Sequence, residues 1–401
     1  MVIGTSFAEA KVWPVMPNWK GGVRESLTWA TEIGQSSATA ATYHRSYRLG
    51  PRREFSFDVL AGGQESRVAD MLLAGHRGEW LLPIWPDVQH VGSPVETGDE
   101  LVSCRTAGFD FASGGRALLY ADLHRWEVVS VSAIESDHLL LSSPVTGAFA
   151  RGARLLPLRR GWVRDGSEAV MLTDRVSRRT LEVDIAEPCD WPVLAGGAEY
   201  LGTRVLDVRP DASDDPSHAY AGLRESVDFG IAMPVVADLP GITLRTQRDS
   251  WKLFGRSEHS WFRSLLYSLR GRQRRIWVPS WCDDLRPALP IAAGSASVAI
   301  EWAGYTHFAL GRPNRRDIRI QLLDGTVYYR RIIDSLDAGS IEILTLDAAL
   351  DGAGISVHQI RQVSFLSMAA LASDATEINH LTDADGTARA TTGWQAVVPD
   401  V

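Results

Sequence analysis

Only two stretches of this chain repeat their apolar side chains at helical spacing; nearly every other patterned segment reads as strand. "QESRVADMLLAGHRG" (64–78) sets Val68, Met71 and Leu72 on one helical face, and "SEHSWFRSLLYSLRG" (257–271) does the same with Trp261, Leu265 and Leu269. Each predicts a short amphipathic helix. Gly78 and Gly271 fall where a helix-ending glycine takes φ > 0, and Arg77 and Arg270 set a cation at the negative end of the helix dipole. Beyond the stop, "WLLP" and "RIWVP" are bulky, β-favouring runs ended by Pro83 and Pro279, which cannot donate to a sheet ladder. Both then read Pro, one residue, Trp and, after one more residue, Asp: Pro83, Trp85 and Asp87 in the first copy, Pro279, Trp281 and Asp283 in the second.

The parallel continues downstream. "RALLYADLHRWEVVSVSAIESDHLLLSSP" matches "DIRIQLLDGTVYYRRIIDSLDAGSIEILTLD" as strand, turn, strand, turn, strand, with Asp324-Gly325 a hairpin signal. "GARLLPLRRGWV" then faces "GISVHQIRQVSFL", and "TLEVDI" faces "ATEINHL" as a closing element. The separation drifts from 193 residues at Arg77 and Arg270 to 196 at Pro83 and Pro279 and 202 at Arg159 and Arg361, as a few extra loop residues require. Two copies at so long a period mean domain duplication, not a solenoid. The expected fold is mainly β (α+β), with two units that each carry a short helix and an inserted small β-module. The expected division is an arm and lead-in strand at 1–39, a first unit at 40–190 with its module near 92–157, a connecting segment at 191–240, and a second unit at 241–401 with its module near 288–355. Leu27, Trp29 and Ile33 suggest a strand in the lead-in. Within the connecting segment "DVRPDASDD" reads as loop, and "ESVDFGIAMPVVADL" as a source of strands.

Composition narrows the function. A chain of 401 residues, 45% apolar and 22% charged, can bury sizeable cores without staples. A formal charge of −8, from 41 basic and 49 acidic side chains, argues against general affinity for nucleic acid or anionic membrane. Cys104, Cys189 and Cys282 are far apart and outside any C-x-x-C spacing, so neither a disulfide framework nor a zinc site is expected. The N-terminus has no signal-peptide pattern and no run is long enough to span a membrane, so synthesis in the cytosol is expected. Catalytic motifs are missing: no G-x-S-x-G elbow, H-E-x-x-H pair, Walker loop or dinucleotide fingerprint. No catalytic, cofactor-binding or metal residue is assigned, and no cofactor is expected. Asp207, Asp211, Asp214 and Asp215 offer oxygens to calcium but lack EF-hand spacing, so a solvated acidic loop is the simpler reading. Asp87 with His90, and Cys282 with Asp283 and Asp284, likewise read as loops leaving a strand. Fourteen Trp residues allow a sugar-stacking surface, although core and subunit interface are the plainer uses. The basic run "LRGRQRRIW" reads as an ion-pairing face to a neighbouring subunit.

The doubled helix, Arg-Gly turn, aromatic strand and P-x-W-x-D element resembles the signature of siphophage tail-tip proteins. "MPNWKGGVRESLTWATEI" with "YRLGPRREFSF" is similar to the start of tail proteins encoded after the tape measure, and "VSFLSMAALASDATEINHLTD" to their end. The resemblance implies tail-tube-like split β-barrels and a virion structural protein at the distal end of a tail, either a distal ring or the hub beneath it. It implies a homo-oligomer: three chains, each with two units, as a pseudo-sixfold ring, or else a hexamer. The implied partners are the tail tube protein, the tape measure protein and hub or fibre proteins, with phage DNA passing only in transit along an acidic lumen. A carbohydrate-binding tail module and a cell-wall hydrolase are the two alternatives.

Overall fold

The structure, a computed structural model, describes residues 10–398 apart from 167, 215, 239, 351, 384 and 385. The first nine residues of the expected arm lie outside the described residues. The first half runs β1 (Ala10–Val12), β2 (Val23–Thr28), β3 (Thr31–Gln35), β4 (Thr42–Ser46), β5 (Arg52–Gly62), α1 (Gln64–Gly75), β6 (Glu79–Pro83), a single turn of 3-10 helix at Trp85–Asp87, β7 (Gln89–His90), β8 (Leu101–Ser103), β9 (Arg116–Asp122), β10 (Arg125–Ile134), β11 (His138–Leu141), β12 (Arg154–Val163), β13 (Ala169–Met171) and β14 (Val176–Ile185). The second half runs β15 (Glu199–Tyr200), β16 (Thr203–Arg204), β17 (Ser217–Gly222), β18 (Glu225–Val227), β19 (Val235–Ala237), β20 (Thr243–Phe254), α2 (Gly255–Leu269), β21 (Ile276–Pro279), β22 (Ser297–Glu301), α3 (Tyr305–Phe308), β23 (Asp317–Leu322), β24 (Val327–Asp337), β25 (Ile341–Leu346), β26 (Ile360–Leu371), β27 (Ala375–His380) and β28 (Thr387–Ala396). The fold is mainly β, and 22 strands join one hydrogen-bonded network.

Strand pairing in the first half recurs in the second. A long strand with alternating burial (β5, β20) enters the helix through a glycine of positive φ, Gly63 or Gly255, where a side chain would be strained. β5 pairs antiparallel with β2 on one side and β14 on the other; β20 pairs in the same way with β17 and β28. The short strand after each helix, β6 or β21, lies antiparallel to β12 or β26. On its other side β6 receives β1 in parallel, and β21 receives a parallel bridge from Val205 to Trp277. The registers fix residue equivalences. Arg24 on β2 faces Ser56, seven residues before Gly63, and Ser217 on β17 faces Arg248, seven before Gly255, so Ser217 corresponds to Arg24. By the same logic Glu25 corresponds to His218 and Leu27 to Tyr220.

Pairing corrects two alignments read from sequence. "TLEVDI" lies in β14, whose counterpart by pairing is β28; "ATEINH" is β27, the counterpart of β13. Arg159 corresponds to Ser367 instead of Arg361, because Leu158 faces Pro83 and Leu366 faces Pro279. The units also begin earlier than residues 40 and 241, since β2 belongs to the sheet of β5 and β17 to that of β20. Each half holds a main core, around Trp13, Trp80 and Phe57 in the first and Trp251, Phe262 and Trp394 in the second. The strands between the repeated elements enclose separate cores, one around Val102, Leu119 and Leu139, the other around Ile300, Ile320 and Leu344.

The two helices end differently. α2 stops as expected: Arg270 (φ 53°) and Gly271 (φ 65°) are both left-handed, and the Arg270 N–H donates to the Leu266 carbonyl at 3.0 Å. α1 stops at Gly75 and leaves through an extended His76, so Arg77 and Gly78 lie past its end and Gly78 has no positive φ. The reason is sequence-local: with glycine at 75, the last turn frays early, and the His76 ring reaches the Glu79 carbonyl at 2.8 Å instead. Met71, expected on the buried face of α1, is 75% exposed.

Candidate functional site

The halves meet edge to edge. β2 of the first half pairs antiparallel along its whole length with β27 of the second, from Val23 opposite His380 to Thr28 opposite Ala375. Leu27 and Trp29, at the far end of β2, are buried in the second half's core, where Trp29 meets Tyr267 edge-on at 5.8 Å.

Below this seam lies a buried ionic cluster that spans both halves. Glu25 is 0% exposed. Its carboxylate accepts from Arg53 Nε at 2.6 Å and Arg263 Nη2 at 2.9 Å, and sits 2.9 Å from His380 Nε2. Asp110 accepts from Arg53 and from Arg159 Nη2 at 2.6 Å, and its own N–H donates to Asp87 at 2.8 Å. Asp87 accepts from Arg256 at 2.8 Å, and Arg256 also donates to the Pro86 carbonyl at 2.6 Å. Glu187, 3.6 Å from Arg159, adds a fourth carboxylate at the edge of the cluster, where Arg160 Nε also donates to it at 3.0 Å. Arg256 and Arg263 lie seven residues apart on one face of α2, which aims both at the first half. Aromatic rings cover them: Phe109 at 4.3 Å from Arg256 and Trp191 at 4.5 Å from Arg263.

Charges this deep are tolerated only when paired and hydrogen-bonded. Burial drives the Glu25 carboxyl up, but Arg263, Arg53 and His380 outweigh it and hold the group well below the usual carboxylate range. Asp110 is lowered the same way, by Arg53 and Arg159 acting against burial. His259, on the same face of α2, is pushed down to about 4 by burial and by its neighbours His380 and Arg256, so it stays neutral. The arrangement suits fastening: the carboxylates are saturated by cations.

The repeat-signature residues divide between the halves. Pro83 and Pro279 are both buried in sheet, facing Leu158 and Leu366. Trp85 sits in the first core, whereas Trp281 takes a left-handed φ of 59° and packs partly buried beneath Arg319. Asp87 enters the cluster; Asp283 is 48% exposed, and Asp284 instead accepts from the Phe365 N–H at 2.8 Å and from Ser280. Arg77 points to solvent, while Gly271 is tightly enclosed: a Cβ there would stand 2.5 Å from Asp374 Oδ1 and 2.8 Å from Trp29 Cβ. In the acidic loop Asp211 is held by Lys252 at 2.8 Å and by Ser213; Asp215 lies outside the described residues. Among the described residues no three metal-ligating side chains converge, and no helix is long and apolar enough to cross a membrane.

Sequence reading found Asp87 but missed Glu25, Arg53, Asp110, Arg256, Arg263 and His380. A signal was present. Glu25 stands in phase with Val23 and Leu27, and Arg53 with Phe55, Phe57 and Val59, so each is a charge on the apolar side of a strand. Comparison with models of known families gives no match, and no curated protein matches the chain.

Proposed function

We propose that this chain is a structural component of a phage tail tip, a distal ring or hub adapter between the tail tube and the receptor-binding apparatus. The observation that supports this most is the edge-to-edge union of two like units through one continuous sheet, clamped by a buried ion cluster. Such a joint makes a stiff two-unit block, and blocks of this kind close into rings when their outer edges also pair. Three chains would present six units, matching a sixfold tube above and a threefold spike below. Residues 40–90 and 240–285 would face the channel, the inserted modules would face outward, and the net negative charge would let DNA pass without being held. The saturated carboxylates of the seam favour this structural reading over hydrolysis, because a general acid or base needs a free proton site.

Antibody labelling of purified virions and of particles lacking the gene tests the reading. Label at the distal tip, and tails without a finished tip in the deletion, are expected; label absent from virions would overturn it. A zymogram on host peptidoglycan should show no clearing by the purified protein.

A further inference from the structure

The seam between the halves uses one edge of each unit, and the corresponding edge of the other unit is bare. Among the described residues, β2 is covered by β27, but its counterpart β17 pairs only with β20, and all six of its residues are exposed. Among the same residues β27 is covered by β2, but its counterpart β13 pairs only with β14, and Val170 and Met171 on it are exposed. The helices repeat the contrast. Aligned on their core-facing residues, Ser66 and Ala69 with His259 and Phe262, α1 leaves Met71 and Ala74 in solvent and Asp70 half-exposed on Arg179, where α2 buries Arg263, Ser264 and Tyr267 against the first half and the segment linking the halves.

The hairpins that follow β2 and β17 match as well. The first, β3–β4, lies on the second half: Arg275 donates to the Thr42 carbonyl at 2.6 Å, His44 meets the Arg272 carbonyl, and the Thr31 N–H donates to Asp374 at 2.7 Å. The second, β18–β19, has no such seat among the described residues and holds Phe229, Ile231 and Met233 at 73%, 92% and 90% exposure. A patch this apolar on a hairpin marks a contact surface.

We infer that β17 of one copy pairs antiparallel with β13 of a second copy, in the register of the internal seam, and that hairpin β18–β19 lies on that copy's α1 side. The internal pairs Arg24–Asn379 and Glu25–Ile378 set the register: Ser217 faces Val170 and His218 faces Ala169. Tyr220, in the place of Leu27, enters the neighbouring core beside Met71. The side chains change as matched sets. Inside the chain Glu25 meets Arg263; between chains His218 and Asp70, the latter already paired to Arg179 of its own chain, occupy those positions. His380, a third partner of Glu25 beside Arg53 and Arg263, becomes Met171, and Glu25 itself becomes His218, so no carboxylate is stranded there. The contact is head-to-tail, because each copy offers β17 at one end and β13 at the other. The inference rests on the pairing of the two halves and holds whether or not the ring belongs to a tail.

Directly opposite residues on antiparallel strands have Cα atoms about 4.5–5.5 Å apart, within disulfide range. In a Cys282→Ser background, Ser217→Cys and Val170→Cys chains, mixed and mildly oxidised, should give a disulfide-linked pair of unlike chains, while neither alone does so. The double variant should give a closed covalent ring. Ile231→Lys and Met233→Lys should each weaken self-association by at least about tenfold, with an unchanged melting temperature of the dilute chain. If these variants are insoluble, hydrogen exchange of the unmodified protein decides: amides of 217–222 and 169–171 should gain protection as concentration rises. A protein that stays monomeric at its solubility limit, unlike-chain cross-links absent, or no gain in protection would overturn the inference. Rings that cross-link but are missing from virions would overturn only the tail reading.

Discussion

β2 and β17 are the same strand in two settings. Both follow an extended arm, pair antiparallel with the long strand that leads into a helix, and are followed by a hairpin. β2 is buried between two strands and keeps a carboxylate at 0% exposure; β17 is open and keeps a histidine at the same position. The difference teaches that the edge's chemistry follows its neighbour. Where the partner is part of the same chain, a demanding charge network can be satisfied permanently. Where the partner must arrive from elsewhere, the edge has to survive alone in water, and buried charge would be a liability.

Removing the charge on one side only should break this contrast most visibly. Glu25→Ala leaves Arg53, Arg263 and His380 facing one another, and chemical denaturation should show a loss of about 3–5 kcal/mol. His218→Ala in the dilute chain should change stability by less than about 0.5 kcal/mol. Equal losses would mean that the seam does not distinguish the two strands.

Acid should find the seam next. His259 is neutral in the fold, with its pKa at about 4 against the usual histidine value near 6.5, so the unfolded chain takes up its proton first. Its contribution is intact above about pH 6.5 and is lost as pH falls through 4, by up to about 3 kcal/mol. The paired carboxylates Glu25 and Asp110 lose theirs only below the ordinary carboxylate range. Stability measured across this window should therefore slope in the native protein and flatten in His259→Gln.

The turns give a smaller contrast. Gly271→Val forces a β-branched residue into a left-handed conformation against Trp29 and Asp374, and should destabilise by about 2 kcal/mol or more. Gly78→Val, at a position of ordinary φ, should stay within about 0.5 kcal/mol. Thermal melts of the two variants side by side would show whether the Arg-Gly turns really differ. Asp283→Asn should likewise be nearly silent, since Asp283 is half-exposed where Asp87 is sealed.

Local signals in the sequence were reliable where the physics is local. The helix 257–271, the strands around "WLLP" and "RIWVP", and the hairpin at Asp324-Gly325 follow from periodicity, proline and turn chemistry within a few residues. Gly78 was misread because α1 ends at Gly75, which the Arg-Gly echo concealed. The seam was hidden for another reason: β2 meets β27 across about 350 residues, and nothing near Val23 announces His380. Even so, Glu25 and Arg53 were visible as charges on an apolar phase. Such a residue predicts a buried partner without saying where the partner lies.

Glu25 also sets an order of events. The ribosome releases β2 long before β27, and at about 5–20 residues per second roughly 20–70 seconds separate them. For that interval β2 is an open edge, and a neighbouring chain's β13 is a competing strand of similar shape. β13 would bring Met171 to the place of His380 and Asp70 to the place of Arg263, so Glu25 would be sealed in with part of its counter-charge missing. That wrong partner should be released, because it cannot complete the ion cluster, whereas the correct one can. A check on identity during synthesis is then the expected consequence of the buried carboxylate, and a Glu25→Leu chain, free of that check, should yield more interlocked, misjoined copies on co-expression than the native chain.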